Sequence, residues 1–179
     1  MSSIILVYKL YYIEITVYKC YNFQNGGFKM IDCKSKTCCF TGHRDIPQEN
    51  LKGISLSLEK TLVDLIEKGY RYFGAGGALG FDTLAAQMVL KLKIMYPYIK
   101  LILVLPCENQ AEHWKAENKI IYEDIKSKTD KAVYTSKTYF KGCMHKRNRH
   151  LVDNSSSCVC YLTTEKDGTA YTVHYAKKC

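Results

Sequence analysis

Residues 70–92 read YRYFGAGGALGFDTLAAQMVLKL and contain three local patterns in succession. The first part, residues 70–75, is short, aromatic and apolar, which is typical of a buried strand. Glycines at positions 76, 77 and 80 then interrupt the chain, and apolar residues recur at helical spacing from Leu84 to Leu92. A strand, a glycine-rich loop and a helix in this order predict one unit of an α/β fold.

The same alternation of strand and helix continues on both sides of this segment. Further strands are predicted at residues 37–41, 100–105, 132–135 and 157–162, with helical spacing between them. Residues 101–105, LILVL, are apolar throughout, as expected for a parallel strand covered on both faces. The pattern predicts a Rossmann-like, doubly wound α/β fold with a mainly parallel sheet of about five strands and helices on both faces. Only Cys179 follows the last predicted helix, so we expect the closing C-terminal strand to be absent or lost by truncation.

The composition of the 179-residue chain excludes several classes of protein. With 47% hydrophobic residues, nine cysteines and three prolines, it is neither disordered, nor collagen-like, nor a small disulfide scaffold. The odd number and irregular spacing of the cysteines favour reduced thiols and a cytoplasmic location. The formal net charge of +9 suggests anionic partners without distinguishing nucleotides, nucleic acids and membrane surfaces.

Residues 1–29 differ in composition from the rest of the chain, being rich in aromatic and poor in charged side chains. The shift places a boundary near Met30, with one domain at residues 30–179. No apolar run in the extension approaches the roughly 20 residues of a membrane helix, and we expect no membrane partner. Alternation at Ile13, Ile15 and Val17 predicts a short strand that pairs with the domain. The alternative interpretation is an untranslated leader, because the codons of Gly26 and Gly27 can spell a ribosome-binding sequence before Met30.

Loops at the carboxyl ends of the predicted strands are the candidate ligand-binding segments, because ligands of open α/β sheets bind there. The loop after the first strand supplies Thr41, Gly42, His43 and Arg44. Its glycine permits close backbone approach, and its arginine offers a planar fork of donors to phosphate or carboxylate. An ordinary turn with exposed side chains is the alternative.

The loop after the second strand supplies Gly76, Gly77, Gly80 and Asp82. Small residues allow an anion to approach the N–H groups at a helix start. The aspartate either caps that helix or binds a ribose hydroxyl, and the cap is the commoner role. Glycines also serve tight packing of a strand against a helix, which is the structural alternative.

A basic segment, residues 141–150, follows the fourth strand and reads KGCMHKRNRH. A solvated helix face is the usual explanation of such a charge run, but this one lies at the same sheet edge as the glycine loops. We therefore interpret it as an anion site containing Met144, Arg147 and Asn148. Gly168, Thr169 and Thr172 follow the fifth strand, with hydroxyls that can donate to phosphate or cap the last helix, and Glu108 follows the third.

The cysteines do not have the arrangement of a metal site. Cys143 and His145 lack the spaced partner pair of structural zinc, so we predict no metal. Cys38, Cys39 and the pair at positions 158 and 160 fall in predicted strands, which favours buried apolar roles.

These loops, in this order, resemble the SLOG superfamily and specifically its bacterial YpsA-like family of unknown function. The resemblance spans roughly residues 36–178 and rests on TGHR at 41–44, GGALGFD at 76–82, PCENQ at 106–110, KGCMHKRNR at 141–149 and GTAYT at 168–172. It implies a Rossmann-like domain that binds nucleotides or nucleotide-derived ligands, such as ADP-ribose, NAD or a nucleoside monophosphate. No cofactor is implied with certainty.

The related LOG phosphoribohydrolases pair a Met-His-x-Arg helix with a Gly-Gly-x-Gly-Thr-x-x-Glu loop. This chain keeps the first as Met144-His145-Lys146-Arg147 but has Thr172 where the catalytic glutamate would stand. A hydroxyl cannot replace a carboxylate as base, so the resemblance implies retained phosphate binding and puts phosphoribohydrolase activity in doubt.

Three functions follow in order of preference. The first is a ligand-binding or sensor domain for a nucleotide-like small molecule. The second is an enzyme acting on a nucleotide-derived substrate, with Asp82, Glu108 or Asp153 replacing the missing glutamate. The third, by analogy with the related DNA-processing protein A, is a nucleic-acid-binding protein. The oligomeric state stays open, and a homo-oligomer is one alternative.

Overall fold

The computed structural model describes residues 6–10, 13–19, 33–164 and 167–179. Within these ranges the strands are β1 (Leu6–Leu10), β2 (Ile13–Lys19), β3 (Thr37–Gly42), β4 (Tyr72–Ala75), β5 (Lys100–Leu105), β6 (Lys131–Tyr134) and β7 (Ser157–Tyr161). The helices are α1 (Gln48–Glu67), α2 (Phe81–Leu92), α3 (Ala116–Lys128), α4 (Cys143–Asp153) and α5 (Gly168–Lys178). A short 3-10 helix, Cys33–Lys36, precedes β3. None of the described helices is long and apolar enough to span a membrane.

All seven strands form one sheet in the order β1-β2-β7-β3-β4-β5-β6. The five strands from β7 to β6 are mutually parallel, which confirms the predicted mainly parallel α/β architecture. Strand β2 contains the alternating segment at residues 13–17 and pairs antiparallel with both β1 and β7. The division of the chain at Met30, and the two interpretations of residues 1–29, stay predictions.

Two hydrophobic clusters cover the two faces of the sheet. Strand side chains alternate between the faces, so Val159 and Tyr161 of β7 join a cluster with α1, α2 and α3. Cys158 and Cys160 point the other way, into a second cluster with residues of α4 and α5. The predicted burial of the strand cysteines and the helices on both faces are therefore confirmed.

The order of the strands fixes where a ligand can bind. Strands β3 to β6 follow one another across the sheet, and the chain then returns through α4 to place β7 on the other side of β3. The loops after β3 and β7 therefore leave adjacent strands toward opposite faces. In open α/β sheets such a switch point leaves a crevice at the carboxyl edge.

Candidate functional site

A cleft of about 550 Å³ lies at the switch point between β3 and β7. Its walls are the loop after β3, the start of α2, the first turns of α4, and the segment between β7 and α5. Ten of the predicted site residues line it: Thr41, Gly42, His43, Arg44, Asp82, Met144, Arg147, Asn148, Gly168 and Thr169. The structure thus brings together residues from four separate segments of the chain.

A buried ion pair between Asp82 and Arg147 forms the floor of the cleft. Arg147 Nη1 lies 3.2 Å from Asp82 Oδ2, and the two side chains are only 7% and 6% exposed, respectively. The same carboxylate oxygen accepts a long hydrogen bond of 3.4 Å from the backbone N–H of Ala78. Asp82 therefore does not cap α2, since Gly80 occupies the cap position. Its predicted contact with a ribose hydroxyl stays a prediction.

Burial shifts the titration of both partners in the direction that disfavours charge. Desolvation raises the pKa of Asp82 above its ordinary value, and the opposite charge of Arg147 only partly offsets this effect. Desolvation likewise lowers the pKa of Arg147, with Asp82 acting in the opposite direction. A buried pair of this kind is weak evidence for stability, whereas perturbed groups in a cleft are typical of functional sites.

The guanidinium of Arg147 is not fully used by the protein. Its Nη1 donates to Asp82, but its Nε is buried and has no hydrogen-bond partner among the described residues. Buried donors without partners are rare in folded proteins. An unused donor on a buried cation that lines a cleft makes Arg147 a candidate for contact with a ligand.

Gly76 is required for this placement of Arg147. It does not line the cleft, but a Cβ on Gly76 would lie 1.2 Å from Arg147 Nη1 and 2.7 Å from Asp82 Oδ2. The missing side chain at this position is therefore what allows the guanidinium to lie against the loop after β4.

Two other predicted glycines serve packing between loops. Gly80 has φ 75°, and a Cβ there would lie 2.0 Å from the carbonyl oxygen of Arg44. Gly77 also lies outside the cleft, against Leu105 and Gln110. In place of an anion approaching these glycines, the structure shows the loops after β3, β4 and β5 packed closely against one another.

Only part of the basic segment reaches the cleft. Gly142, with φ 101°, precedes α4 as predicted, and Met144, Arg147 and Asn148 then face the ligand space. Lys141, Lys146 and Arg149 are exposed and do not line it. Lys146 Nζ instead donates to the carbonyl oxygen of Thr135 at 2.6 Å. The three residues predicted for the anion site therefore lie at the cleft, and the anion site itself stays a prediction.

The cleft is also not uniformly cationic. The carboxylates of Asp45, Asp82 and Asp167 line it together with the guanidinium groups of Arg44 and Arg147. An anion that entered this cleft would therefore meet individual donors and not a general positive field.

The start of α5 is organised by Asp167, which the sequence analysis missed. Its Oδ1 accepts hydrogen bonds from the N–H groups of Thr169 at 2.9 Å and Ala170 at 3.0 Å, and its Oδ2 lies 2.7 Å from His43 Nδ1. An aspartate directly before Gly-Thr at a helix start is an N-cap signal that could have been recognised. Phe40, Asp45, Ala78, Thr163 and Thr164 are the other lining residues that were missed.

Thr172 is buried in α5 and does not line the cleft. Its hydroxyl donates to the carbonyl oxygen of Gly168 at 2.8 Å and accepts from Asn148 Nδ2 at 2.7 Å. The residue therefore joins α5 to α4 and orients Asn148 at the cleft wall.

The candidate replacements for the missing glutamate are separated by the fold. Glu108 is exposed after β5 and lies outside the cleft. Asp153 accepts a hydrogen bond from the Tyr175 hydroxyl at 2.8 Å, also outside it. Of the three, only Asp82 faces the ligand space.

In the described parts of the chain, no three His, Cys, Asp or Glu side chains are grouped to hold a metal ion. The prediction of a metal-free site stays a prediction. The eight cysteines within those parts form no disulfide with one another.

Comparison with known families gives the same assignment as the motifs. The family model YpsA, described as the YspA SLOG family, matches residues 38–179. The chain belongs to the YpsA SLOG family. Except for Thr37, the match covers the five parallel strands, and it includes every described residue that lines the cleft.

Curated relatives of this YpsA-family chain are UPF0398 proteins from bacteria. One from Bacillus cereus is 31% identical over 132 residues, covering 70% of both chains. Another, from Halalkalibacterium halodurans, is 29% identical over 153 residues and covers 80% of this chain and 81% of the relative.

A solved structure with a similar fold is DNA processing protein A from Helicobacter pylori, described in terms of its single-stranded DNA binding mode. The similarity has a TM-score of 0.57 at 18% sequence identity and covers 92% of this chain and 67% of that one. At this level of identity the similarity supports the fold.

Proposed function

We propose that this YpsA-family protein binds a nucleotide or nucleotide-derived small molecule in the cleft between β3 and β7, as a binding or sensor domain. The observation that carries the proposal is Arg147, a buried cation with an unpartnered Nε at the cleft floor. Phosphate oxygens are suited to this donor because guanidinium–phosphate hydrogen bonds are strengthened by charge. Arg44, Asn148 and Thr169 supply further donors around the same space.

A cytoplasmic location belongs to this proposal. It follows from the irregular set of cysteines in the sequence, and a nucleotide ligand would be abundant there. The proposal assigns no reaction to the protein, and no metal.

The test is thermal unfolding with AMP, ADP-ribose and NAD as probes. A ligand present at about 100 times its Kd adds about 2.7 kcal/mol to the free energy of unfolding. For a chain of this size that raises Tm by about 5–10 °C. We expect Arg44→Ala and Arg147→Lys to remove most of this shift, because each alters a donor that faces the ligand.

Arg149→Ala is the matched control for these variants. It removes the same charge from an exposed position of α4, two residues after Arg147 and outside the cleft, and should leave the shift intact. A ligand shift that survives in Arg147→Lys and Arg44→Ala would show that the ligand binds elsewhere.

The enzyme alternative has its own readout. Release of free base from nucleoside monophosphates, measured by chromatography, would support it. The residue to test is Asp82, the only one of its three candidate carboxylates that lines the cleft. Hydrolysis that persists in Asp82→Asn would exclude that carboxylate as the base.

A second candidate function, binding of single-stranded nucleic acid, is favoured by a surface beside the cleft. In the segment 135–142 between β6 and α4, Tyr139 is 63% and Phe140 46% exposed. Exposed Lys137 and Lys141 flank the two rings. Aromatic side chains next to lysines suit stacked bases and a phosphate backbone, and the fold resembles that of a DNA processing protein described by its single-stranded DNA binding.

Fluorescence anisotropy with a labelled oligothymidylate tests this candidate. We expect binding that weakens steeply with salt and becomes at least about tenfold weaker in Tyr139→Ala/Phe140→Ala, since stacking contributes about 1–3 kcal/mol per base. Tyr98→Ala, an exposed aromatic position just before the amino end of β5, is the control. Equal binding by the double variant and the control would rule the surface out.

A further inference from the structure

The N-terminus of α5 opens into the cleft, yet two of its first-turn amide groups are already occupied. Asp167 Oδ1 accepts from the N–H groups of Thr169 and Ala170, while Asp167, Gly168 and Thr169 all line the cleft. The first-turn amides of a helix are a ready anion-binding position, because they lack intrahelical partners and carry the positive end of the helix dipole. In this chain the anion at that position is a carboxylate of the protein itself.

His43 holds the carboxylate in place from the opposite wall. Its Nδ1 lies 2.7 Å from Asp167 Oδ2, and its Nε2 accepts a hydrogen bond from the backbone N–H of Thr164 at 3.3 Å. A neutral imidazole has one donor and one acceptor nitrogen, so Nδ1 carries the proton and donates to Asp167. With its Nε2 lone pair directed at Thr164, the ring joins the loop after β3 to the loop before α5.

A second, independent observation that points to a ligand comes from Arg147, elsewhere in the same cleft. Arg147 is 7% exposed, and its Nε has no partner in the described part of the chain. An anion that enters the cleft therefore meets one open position at Arg147 and one filled position at α5.

We propose that Asp167 is a specificity-determining residue. Its carboxylate fills the anion position of α5 and so confines the ligand phosphate to the wall formed by Arg44 and Arg147. The same negative charge weakens the binding of phosphate. This inference rests on the proposed function of the cleft. Like charges a few ångströms apart disfavour each other, so the carboxylate opposes a second anionic group in the cleft. The chemical class that fits is a ligand with a single phosphate group whose remaining polar groups are neutral.

Two substitutions separate the two effects of Asp167. Asp167→Asn removes the charge and the hydrogen bond from His43 Nδ1 but keeps an amide oxygen that can cap α5, so the anion position stays filled while the repulsion is lost. Asp167→Gly removes the charge and also frees the amides of Thr169 and Ala170. Glycine is an adequate cap that costs only a few tenths of a kcal/mol, so the fold should be retained. Glu117→Gln, an exposed acidic residue in the first turn of α3, is the control for the loss of one negative charge.

The experiment is calorimetric titration of the full chain and these variants with AMP and with inorganic pyrophosphate. We expect AMP to bind at least tenfold more tightly to Asp167→Gly than to the unmodified chain, with Asp167→Asn between them and Glu117→Gln unchanged. The affinity for pyrophosphate should increase more than the affinity for AMP in Asp167→Gly, because pyrophosphate can reach both anion positions. Circular dichroism of each variant verifies that α5 and the sheet are intact.

The outcomes distinguish this inference from the proposed function. If the unmodified chain binds AMP and neither Asp167 variant binds more tightly, the inference is overturned and the proposed function stands. If only the Asp167 variants bind, the carboxylate blocks the site outright and the inference is supported. If no protein binds any probe, both are wrong.

Discussion

Gly76 shows how much of the candidate site depends on the absence of one side chain. We expect Gly76→Ala to displace Arg147, since its Cβ would lie 1.2 Å from Nη1 and the guanidinium is the movable end of a flexible chain. Asp82 would then be buried without its partner. Leaving a buried charged group unpaired costs about 2 kcal/mol or more, which urea unfolding monitored by circular dichroism would measure.

Gly168→Ala is the control for this change. A Cβ on Gly168 meets nothing within 4 Å, so its free energy of unfolding should change by less than about 1 kcal/mol. The ligand-induced shift in Tm should also disappear in Gly76→Ala, because Arg147 no longer faces the cleft. Equal stability of the two variants would contradict the packing role of Gly76.

Single residues also mark the limit of what the sequence can predict. Arg44, Arg147 and Asp82 were identified as site candidates from their place after strands. The ion pair between Asp82 and Arg147 was not predictable, because the two residues are 65 positions apart and only the crossover through α4 brings them together. The contact between His43 and Asp167 could not be predicted for the same reason, since the two residues are far apart in the sequence.

At the level of elements, local patterns predict the five parallel strands. Strand β5 was predicted at its observed bounds, Lys100–Leu105, because five consecutive apolar residues can be buried only between two layers of helices. The boundaries of β4 were less accurate, since the strand begins at Tyr72 and not at Tyr70. The backbone N–H of Tyr70 bonds to the carbonyl oxygen of Leu65 at the end of α1, an interaction that no strand pattern reveals.

Asp130 connects three elements and gives a prediction of pH dependence. Its carboxylate accepts from Lys93 Nζ, beyond the end of α2, and from Lys100 Nζ and the N–H of Leu101 in β5. Partial burial alone would raise the pKa of Asp130, but these hydrogen bonds outweigh it and lower the pKa below 3.8. The charged form therefore stabilises the fold above pH 3.8, and this contribution is lost as the pH falls through the lower pKa of the folded state.

We expect Asp130→Asn to lower the free energy of unfolding by about 2 kcal/mol at pH 7. The deficit should persist at pH 5 and shrink below about pH 3.8, as measured by urea unfolding across this range. Asp124→Asn removes an exposed carboxylate that pairs with Lys128 within α3, and should change stability by less than about 0.5 kcal/mol at either pH. A deficit independent of pH would show that the charge of Asp130 is not what stabilises these contacts.

At the scale of the whole molecule, the net charge of +9 is not concentrated in the cleft. Among the described residues, three carboxylates and two guanidinium groups line that space, while Lys137, Lys141, Lys146 and Arg149 are exposed outside it. The two candidate functions should therefore respond differently to salt. A small ligand held by Arg147 is shielded from counterions, whereas binding of a nucleic acid to the exposed lysines weakens with each counterion released.

The arrangement of the core predicts that residues 30–179 can fold without the segment before them. Side chains from residue 38 onward form a hydrophobic cluster on each face of the sheet, and the five parallel strands pair with one another without β1 and β2. We expect a chain beginning at Met30 to unfold cooperatively in urea and to keep the ligand-induced shift in Tm. Removal of β2 leaves the edge of β7 unpaired, so the shortened chain should self-associate more readily than the full chain.

A chain ending at Lys166 is the control for this truncation. It removes α5, whose Val173 and Ala176 belong to the second cluster, so we expect it to lose cooperative unfolding. Failure of the Met30 chain to fold would mean that the antiparallel partner of β7 is part of the folding unit.

Mass spectrometry of the native protein then addresses the two interpretations of residues 1–29. Peptides from Ile4 to Lys29 would exclude an untranslated leader and assign β1 and β2 to the working protein.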